Sequence, residues 1–314
     1  MARVGVVHGA SLQTYGFPNG HPFGPGRLAA YWAAVLEQGL HRSLVEIDPE
    51  QADRAALERF HAPEYVALVK QLSELGTGLL DQGDTPAFPG CYEAAATVVG
   101  SGLRVLREIL EDRLDRAFVP IGGLHHARRT RAGGFCIFND CGILIETLRS
   151  VYGLRRIAYV DIDAHHGDGI YYEYSDDPDV VIVDAHEDGR FLYPGTGHAR
   201  ETGEGAAVGT KLNFPLQPGA DDAVVTAWWP QAEAFLDDAK PEMVLFQCGA
   251  DSLSGDPLTH LCLSAKTHAT VTRRLVDLAR RHCRGRLVAF GGGGYSLPNL
   301  AEAWTAVVRT LLED

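Results

Sequence analysis

Short runs rich in Val, Ile and Leu recur along this chain, and each ends in a loop crowded with Gly, Asp or His. RVGVV (3 to 7), SLVEI (43 to 47), RAFVP (116 to 120), RRIAYV (155 to 160), VVIVDA (180 to 185), MVLFQCG (243 to 249) and RLVAF (286 to 290) read as strands. Helical patterns fill the intervals, at 27 to 39, 51 to 60, 62 to 72, 91 to 112, 139 to 152, 221 to 238, 264 to 283 and from Leu297 onward. Strands alternating with helices predict an α/β fold, a mostly parallel sheet with helices on both faces. A chain of 314 residues has room for two average domains, but α/β units reach this size as one. No internal repeat, linker or low-complexity tail interrupts the alternation, so one domain over residues 1 to 314 is expected.

The most chemically loaded loop is DIDAHHGDG (161 to 169), directly after the strand at 155 to 160. Its carboxylates and imidazoles are too close together to be at ease without a cation, and in open α/β sheets ligand sites form at the carboxyl ends of strands. Alternation along an extended chain sets Asp161, Asp163 and His165 on one side and makes Asp163 and His165 a ligand pair. Helix capping or a structural ion is the blander reading.

Three further strand ends carry reactive groups. GGLHHA (122 to 127) puts His125 beside His126, and imidazole titrates near neutral pH, where a general base works. QCGADSLSGDP (247 to 257) offers Asp251 as a third ligand, leaving a coordination position open for water as catalytic zinc sites do; a turn acid or helix cap is the alternative. GGGGY (291 to 295) carries Tyr295, a phenol able to donate to a developing oxyanion, or else a ring packed over a glycine turn. The Gly- and Pro-rich stretch at 8 to 26 reads as a long functional loop.

A formal net charge of −13 argues against direct binding to nucleic acid or to an anionic membrane. No apolar run approaches the roughly 20 residues that span a bilayer. The six cysteines form no CxxC pair and no secretory signal opens the chain, so a cytoplasmic protein with free thiols is expected.

Taken in order, YGFPNGHPFGPGRL (15 to 28), GGLHHA, GFCIFND (134 to 140), DIDAHHGDG, YPGTG (193 to 197), QCGADSLSGDP and GGGGY resemble the zinc-dependent histone deacetylase family, particularly its bacterial acetoin-utilisation-type members. The resemblance covers nearly the whole chain. It implies the arginase/deacetylase-like fold and a metal-dependent amidohydrolase that removes acetyl or other acyl groups from lysine side chains. It implies zinc, or iron(II) in its place, on Asp163, His165 and Asp251. It makes His126 the general base and acid with Asp168 as partner, pairs His125 with Asp161, and gives the substrate carbonyl to Tyr295.

Gly134, Phe135 and Tyr193 would wall a narrow tunnel, although many members carry Phe where this chain has Tyr193. Asp84 matches the rim acid that holds substrate backbone amides. Asp161, Asp163, His165, Asp184 and Ala185 would hold a structural potassium or sodium ion, with Asp184 standing where Ser is common. The implied partner is an acylated lysine on a protein or peptide, or a small acetylated amine. An acetylpolyamine amidohydrolase is the nearest rival. Leu258 stands where some of those enzymes present Glu, which favours acyl-lysine. An arginase-like ureohydrolase or a catalytically dead binding module fits less well, since base, tyrosine and all three ligands are present.

Overall fold

The computed structural model describes residues 2–81 and 83–313. Eight strands make one sheet: β1 (Val4–Val7), β2 (Leu44–Ile47), β3 (Arg116–Val119), β4 (Ile157–Asp161), β5 (Val180–Glu187), β6 (Lys211–Leu216), β7 (Met243–Gln247) and β8 (Leu287–Phe290). Their order is β2-β1-β3-β8-β7-β4-β5-β6, and every pairing is parallel rather than most of them. Strands β3, β4, β5, β7 and β8 are buried along their whole length, which is why they read as unbroken apolar runs. The edges differ. β2 exposes Val45 and Glu46, and β6 contains Pro215, which cannot donate to a ladder and is tolerated where only one neighbour pairs.

The helices start where the sequence offers caps or a first-turn proline. Asn139 accepts from the N–H of Gly142 to open Asp140–Ser150, Ser264 from Lys266 to open Ala265–His282, and Ser296 from Asn299 to open Leu297–Leu312. Pro63 begins Pro63–Leu75. Helix Cys91–Leu110 packs against Pro63–Leu75 and Asp140–Ser150, while Leu297–Leu312 packs against Arg27–Glu37 and Ala265–His282; both groups reach β3. A short helix, Asp168–Tyr171, follows the acidic loop and was not visible in the sequence pattern. Among the described residues no helix is long and apolar enough to cross a membrane.

This strand order builds the site. β3 and β4 are consecutive strands, yet β8 and β7 lie between them. The carboxyl ends of β3, β8, β7, β4 and β5 therefore stand side by side, and the loops after them are the ones that carry the reactive motifs. The loop after β3 is pinned by Asp140, a fully buried carboxylate that accepts the N–H of Gly123 at 2.9 Å and of Leu124 at 2.7 Å. Burial raises its pKa, and those two donors act against the rise.

Asp140→Ala would leave both donors buried and unmatched, at about 1–3 kcal/mol each. We expect a loss of about 2–5 kcal/mol, read as a lower urea midpoint at unchanged slope. Asp140→Asn, which keeps an acceptor, should lose less.

Candidate active site

Asp163, His165 and Asp251 are buried, and their ligand atoms lie within 4.8 Å of one another. His165 Nδ1 is 3.1 Å from Asp163 Oδ1 and 3.0 Å from Asp251 Oδ2. Asp163 Oδ2 accepts from Gln247 Nε2 and from the N–H of Gly293, each at 2.8 Å, and Asp251 Oδ1 accepts from the N–H of Ala164 at 2.9 Å. Burial, then the charge of Asp163, pushes Asp251 up to about 7. Asp163 is held well below the usual carboxylate range: burial opposes this, but His125 and His165 outweigh it. The two carboxylates pull His165 up to about 10 against its burial. Two glycines make room for the cluster. A Cβ at Gly249 would fall 2.0 Å from Asp163 Oδ2, and one at Gly293 would fall 2.1 Å from Asp251 Oδ2.

The two adjacent histidines point to different carboxylates. His125 Nδ1 donates to Asp161 at 2.7 Å and His126 Nδ1 donates to Asp168 at 2.7 Å, while their Nε2 atoms meet at 3.1 Å. With both Nδ1 positions protonated by this geometry, only one of the facing Nε2 atoms can carry a hydrogen. Asp161 and Asp163 raise His125 to about 9 despite burial. Burial and the neighbouring His125 lower His126 to about 4. The hydrogen therefore sits on His125 and the lone pair on His126. Asp168 favours the cationic form of His126, but burial and His125 prevail. Asp168 itself is held near 2: burial opposes ionisation, and His126 and Arg128, at 2.9 Å, overcome it.

Phe135 and Tyr295 meet edge to face with ring centroids 5.9 Å apart, and Tyr193 stands 5.1 Å from the His126 ring. Gly134, at φ +50°, touches the His126 ring so closely that a Cβ there would fall 2.3 Å from Cδ2. Burial, then Asp251 and Asp163, raises the Tyr295 phenol well above its ordinary value, so it remains an O–H donor. Asp84 lines an outer cavity of about 630 Å³ with His126, Asp168 and Tyr193. Leu258 is half-buried on the loop after β7, its N–H bonded to Asp256, and does not line that cavity.

Asp161 and Asp184 sit in register on β4 and β5. Both side chains are engaged. Asp161 accepts from His125, from the Tyr159 hydroxyl at 2.6 Å and from the N–H of Asp163 at 3.0 Å. Asp184 accepts from His186 Nδ1 at 2.6 Å and from the N–H of Gly167 at 2.8 Å. Ala185, beside it, is buried. Asp161 thus meets His125, the partner that the family resemblance implies for it.

Several contributors escaped the sequence reading. Gln247 clamps Asp163 from the last position of β7. Arg27, fully buried, donates to the carbonyls of Gly292 and Gly294 and stacks over Phe23 at 3.9 Å, bracing the turn before Tyr295. Asp256 accepts the N–H of Tyr295 at 2.8 Å. Gln247 and Asp256 lie inside the motif quoted above, and Arg27 is the second-to-last residue of the N-terminal one, but only tertiary packing shows what each holds.

Comparison with known proteins identifies the family. The sequence profile of the histone deacetylase domain matches residues 21–311. The acetoin utilization protein AcuC of Bacillus subtilis (strain 168) is 34% identical over 311 residues, covering 96% of this chain and 80% of that protein. Histone deacetylase 6 of Arabidopsis thaliana is 34% identical, covering 96% of this chain and 65% of that protein. The crystal structure of the HDA15 HD domain superposes with a TM-score of 0.89 at 27% identity, over 99% of this chain and 88% of that one. A matched profile across almost the whole sequence, relatives of this similarity and a shared fold lead to one conclusion: the chain belongs to the histone deacetylase family of zinc-dependent deacetylases.

Proposed function

We propose that the chain is one catalytic domain that hydrolyses the side-chain amide of acylated lysine, releasing acetate or another carboxylate and the free amine. The observation that carries this reading is the buried Asp163, His165 and Asp251 group lying beside His126. The donor set suits zinc or iron(II): one imidazole nitrogen and two carboxylate oxygens, with no lysine or arginine bonded to them among the described residues. Bound there, the metal supplies a Lewis acid for the amide carbonyl and a bound water of lowered pKa.

The remaining work falls to side chains. His126, neutral and carrying its lone pair on Nε2, takes a proton from the attacking water and returns it to the leaving amine. Asp168 fixes that ring by holding Nδ1–H. His125, cationic against Asp161, contributes positive charge where negative charge develops. Tyr295 donates its hydroxyl to the developing oxyanion. Phe135, Gly134 and Tyr193 line the passage for an extended acyl-lysine side chain, and Asp84 receives substrate N–H groups at the rim. Leu258 contributes apolar surface away from the mouth cavity.

We assign a monovalent cation, potassium or sodium, to the neighbourhood of Asp161, Asp163, His165, Asp184 and Ala185. The carboxylate of Asp184 is already committed to His186, so its backbone and that of Ala185 are the groups left to serve. Free thiols support a cytoplasmic setting, and the acidic balance disfavours nucleic acid. A single three-residue ligand group among the described residues favours this reading over a two-metal ureohydrolase.

Three tests follow. Asp251→Ala should lose bound zinc, measured by elemental analysis after dialysis, together with activity; full occupancy would remove Asp251 from the ligand set. Tyr295→Phe should lower kcat by about 10²–10³ with metal content unchanged. Asp84 is raised to about 6, by burial first and by Asp81 beside it. It is therefore ionised above that value and takes a proton below it. The affinity for an acetyl-lysine peptide should weaken as pH falls through about 6 in the native protein, and Asp84→Asn should flatten that dependence.

A further inference from the structure

The hairpin after the histidine pair, residues 128 to 131, carries three arginines, of which Arg128 and Arg131 line the mouth of the site. Two of them are spent on the protein itself. Arg128 donates to Asp168 at 2.9 Å and stacks over Tyr172 at 4.6 Å. Arg129 donates to Glu146 at 2.8 Å and to the carbonyl of Phe60 at 3.1 Å, and pairs with Glu173 at 3.2 Å. Arg131 differs. It is exposed, it lines the outer cavity of about 630 Å³, and no side chain among the described residues pairs with it.

Its position is nonetheless fixed. The N–H of Arg128 donates to the carbonyl of Arg131 at 2.9 Å, and the N–H of Arg131 returns the bond at 3.4 Å, so the turn is closed on itself. Asp81 and Asp84 line the same cavity. Asp81 is occupied in accepting the N–H groups of Gly83, Asp84 and Thr85, and Asp84 is the group assigned above to substrate N–H. In a molecule of net charge −13, the mouth thus offers, among the described residues, one uncommitted cation on a hydrogen-bonded turn.

We propose that Arg131 is a specificity-determining residue that selects substrates carrying a carboxylate next to the acylated lysine. This rests on the deacetylase reading and deepens it. A guanidinium offers a planar fork of donors that matches a carboxylate. The carboxylate has two sources, an Asp or Glu flanking the lysine in a peptide, or the α-carboxylate of free Nε-acetyl-lysine. The same charge disfavours an acetylated polyamine, whose distal ammonium groups would approach it.

The test compares labelled acetyl-lysine peptides that differ only in a flanking Asp, Gln or Lys, read by both kcat/KM and equilibrium binding. Free Nε-acetyl-lysine and its amide are run beside them. The Asp peptide should be favoured over the Gln peptide by about 2- to 5-fold, the range of an exposed ion pair, and the preference should shrink in 0.5 M NaCl. Arg131→Ala should abolish the preference, Arg131→Lys should retain part of it, and Arg131→Glu should reverse it toward the Lys peptide. A preference for free Nε-acetyl-lysine over its amide, lost in Arg131→Ala, would assign the carboxylate to the amino acid itself.

An Asp-to-Gln ratio that is the same in native protein and Arg131→Glu overturns the proposal. Binding keeps that outcome separate from failure of the deacetylase reading. Peptides that bind with the expected charge preference but are never turned over by zinc-loaded protein would sink the catalytic assignment and leave the recognition intact.

Discussion

Five carboxylates, those of Asp140, Asp161, Asp163, Asp184 and Asp251, are almost wholly removed from water within one end of this sheet, and their charge has to be met locally. The fold does so with oriented N–H groups and imidazoles. Gly123, Leu124, Asp163, Ala164, Gly167 and Gly293 give backbone donors, while His125, His165 and His186 supply ring nitrogens. Each donor lies in a loop that follows a strand or just inside its end, so the sheet fixes the electrostatics as much as the shape. A concentration of negative charge that would destabilise a core is, framed this way, compensated in place.

The histidine pair shows the same logic at finer scale. Adjacent in sequence, the two rings end with opposite proton affinities because each meets a different environment. His125 faces Asp161 with Asp163 nearby, whereas His126 faces only Asp168, whose charge Arg128 shares, and meets the positive ring of its neighbour. Environments that drive two titrating groups apart are how a site obtains a charged stabiliser and a neutral base at one pH.

The strands and most helices could be read from the chain because they are buried on regular periods: β4, β7 and β8 are continuous apolar runs, and helices such as Leu297–Leu312 begin at recognisable caps. The candidate metal group was readable for a different reason, since Asp163, His165 and Asp251 sit inside motifs whose order resembles a known family. What could not be read depends on the strand order. Nothing local says that β8 separates β3 from β7, and from that placement follow the clamp of Gln247 on Asp163 and the buried bracing by Arg27 of a turn over 260 residues away. Leu258 illustrates the converse: a position matched by resemblance alone stands outside the cavity that the fold builds.

The interleaved sheet also has a history in time. The acidic loop after β4 is made long before its partners, because Asp251, Gly293 and the strand that carries Gln247 lie in the last third of the chain. Until β7 and β8 slide in between β3 and β4, the early part of the molecule holds an incomplete sheet and an Asp163 without the donors of Gln247 and Gly293. Pairings so distant in sequence close slowly, since loop entropy is lost before contacts reward it. Strand β8, the last to be made, is thus also the one that closes the gap between β3 and β7. Asp251, which completes the candidate metal group with Asp163 and His165, arrives with the same late segment.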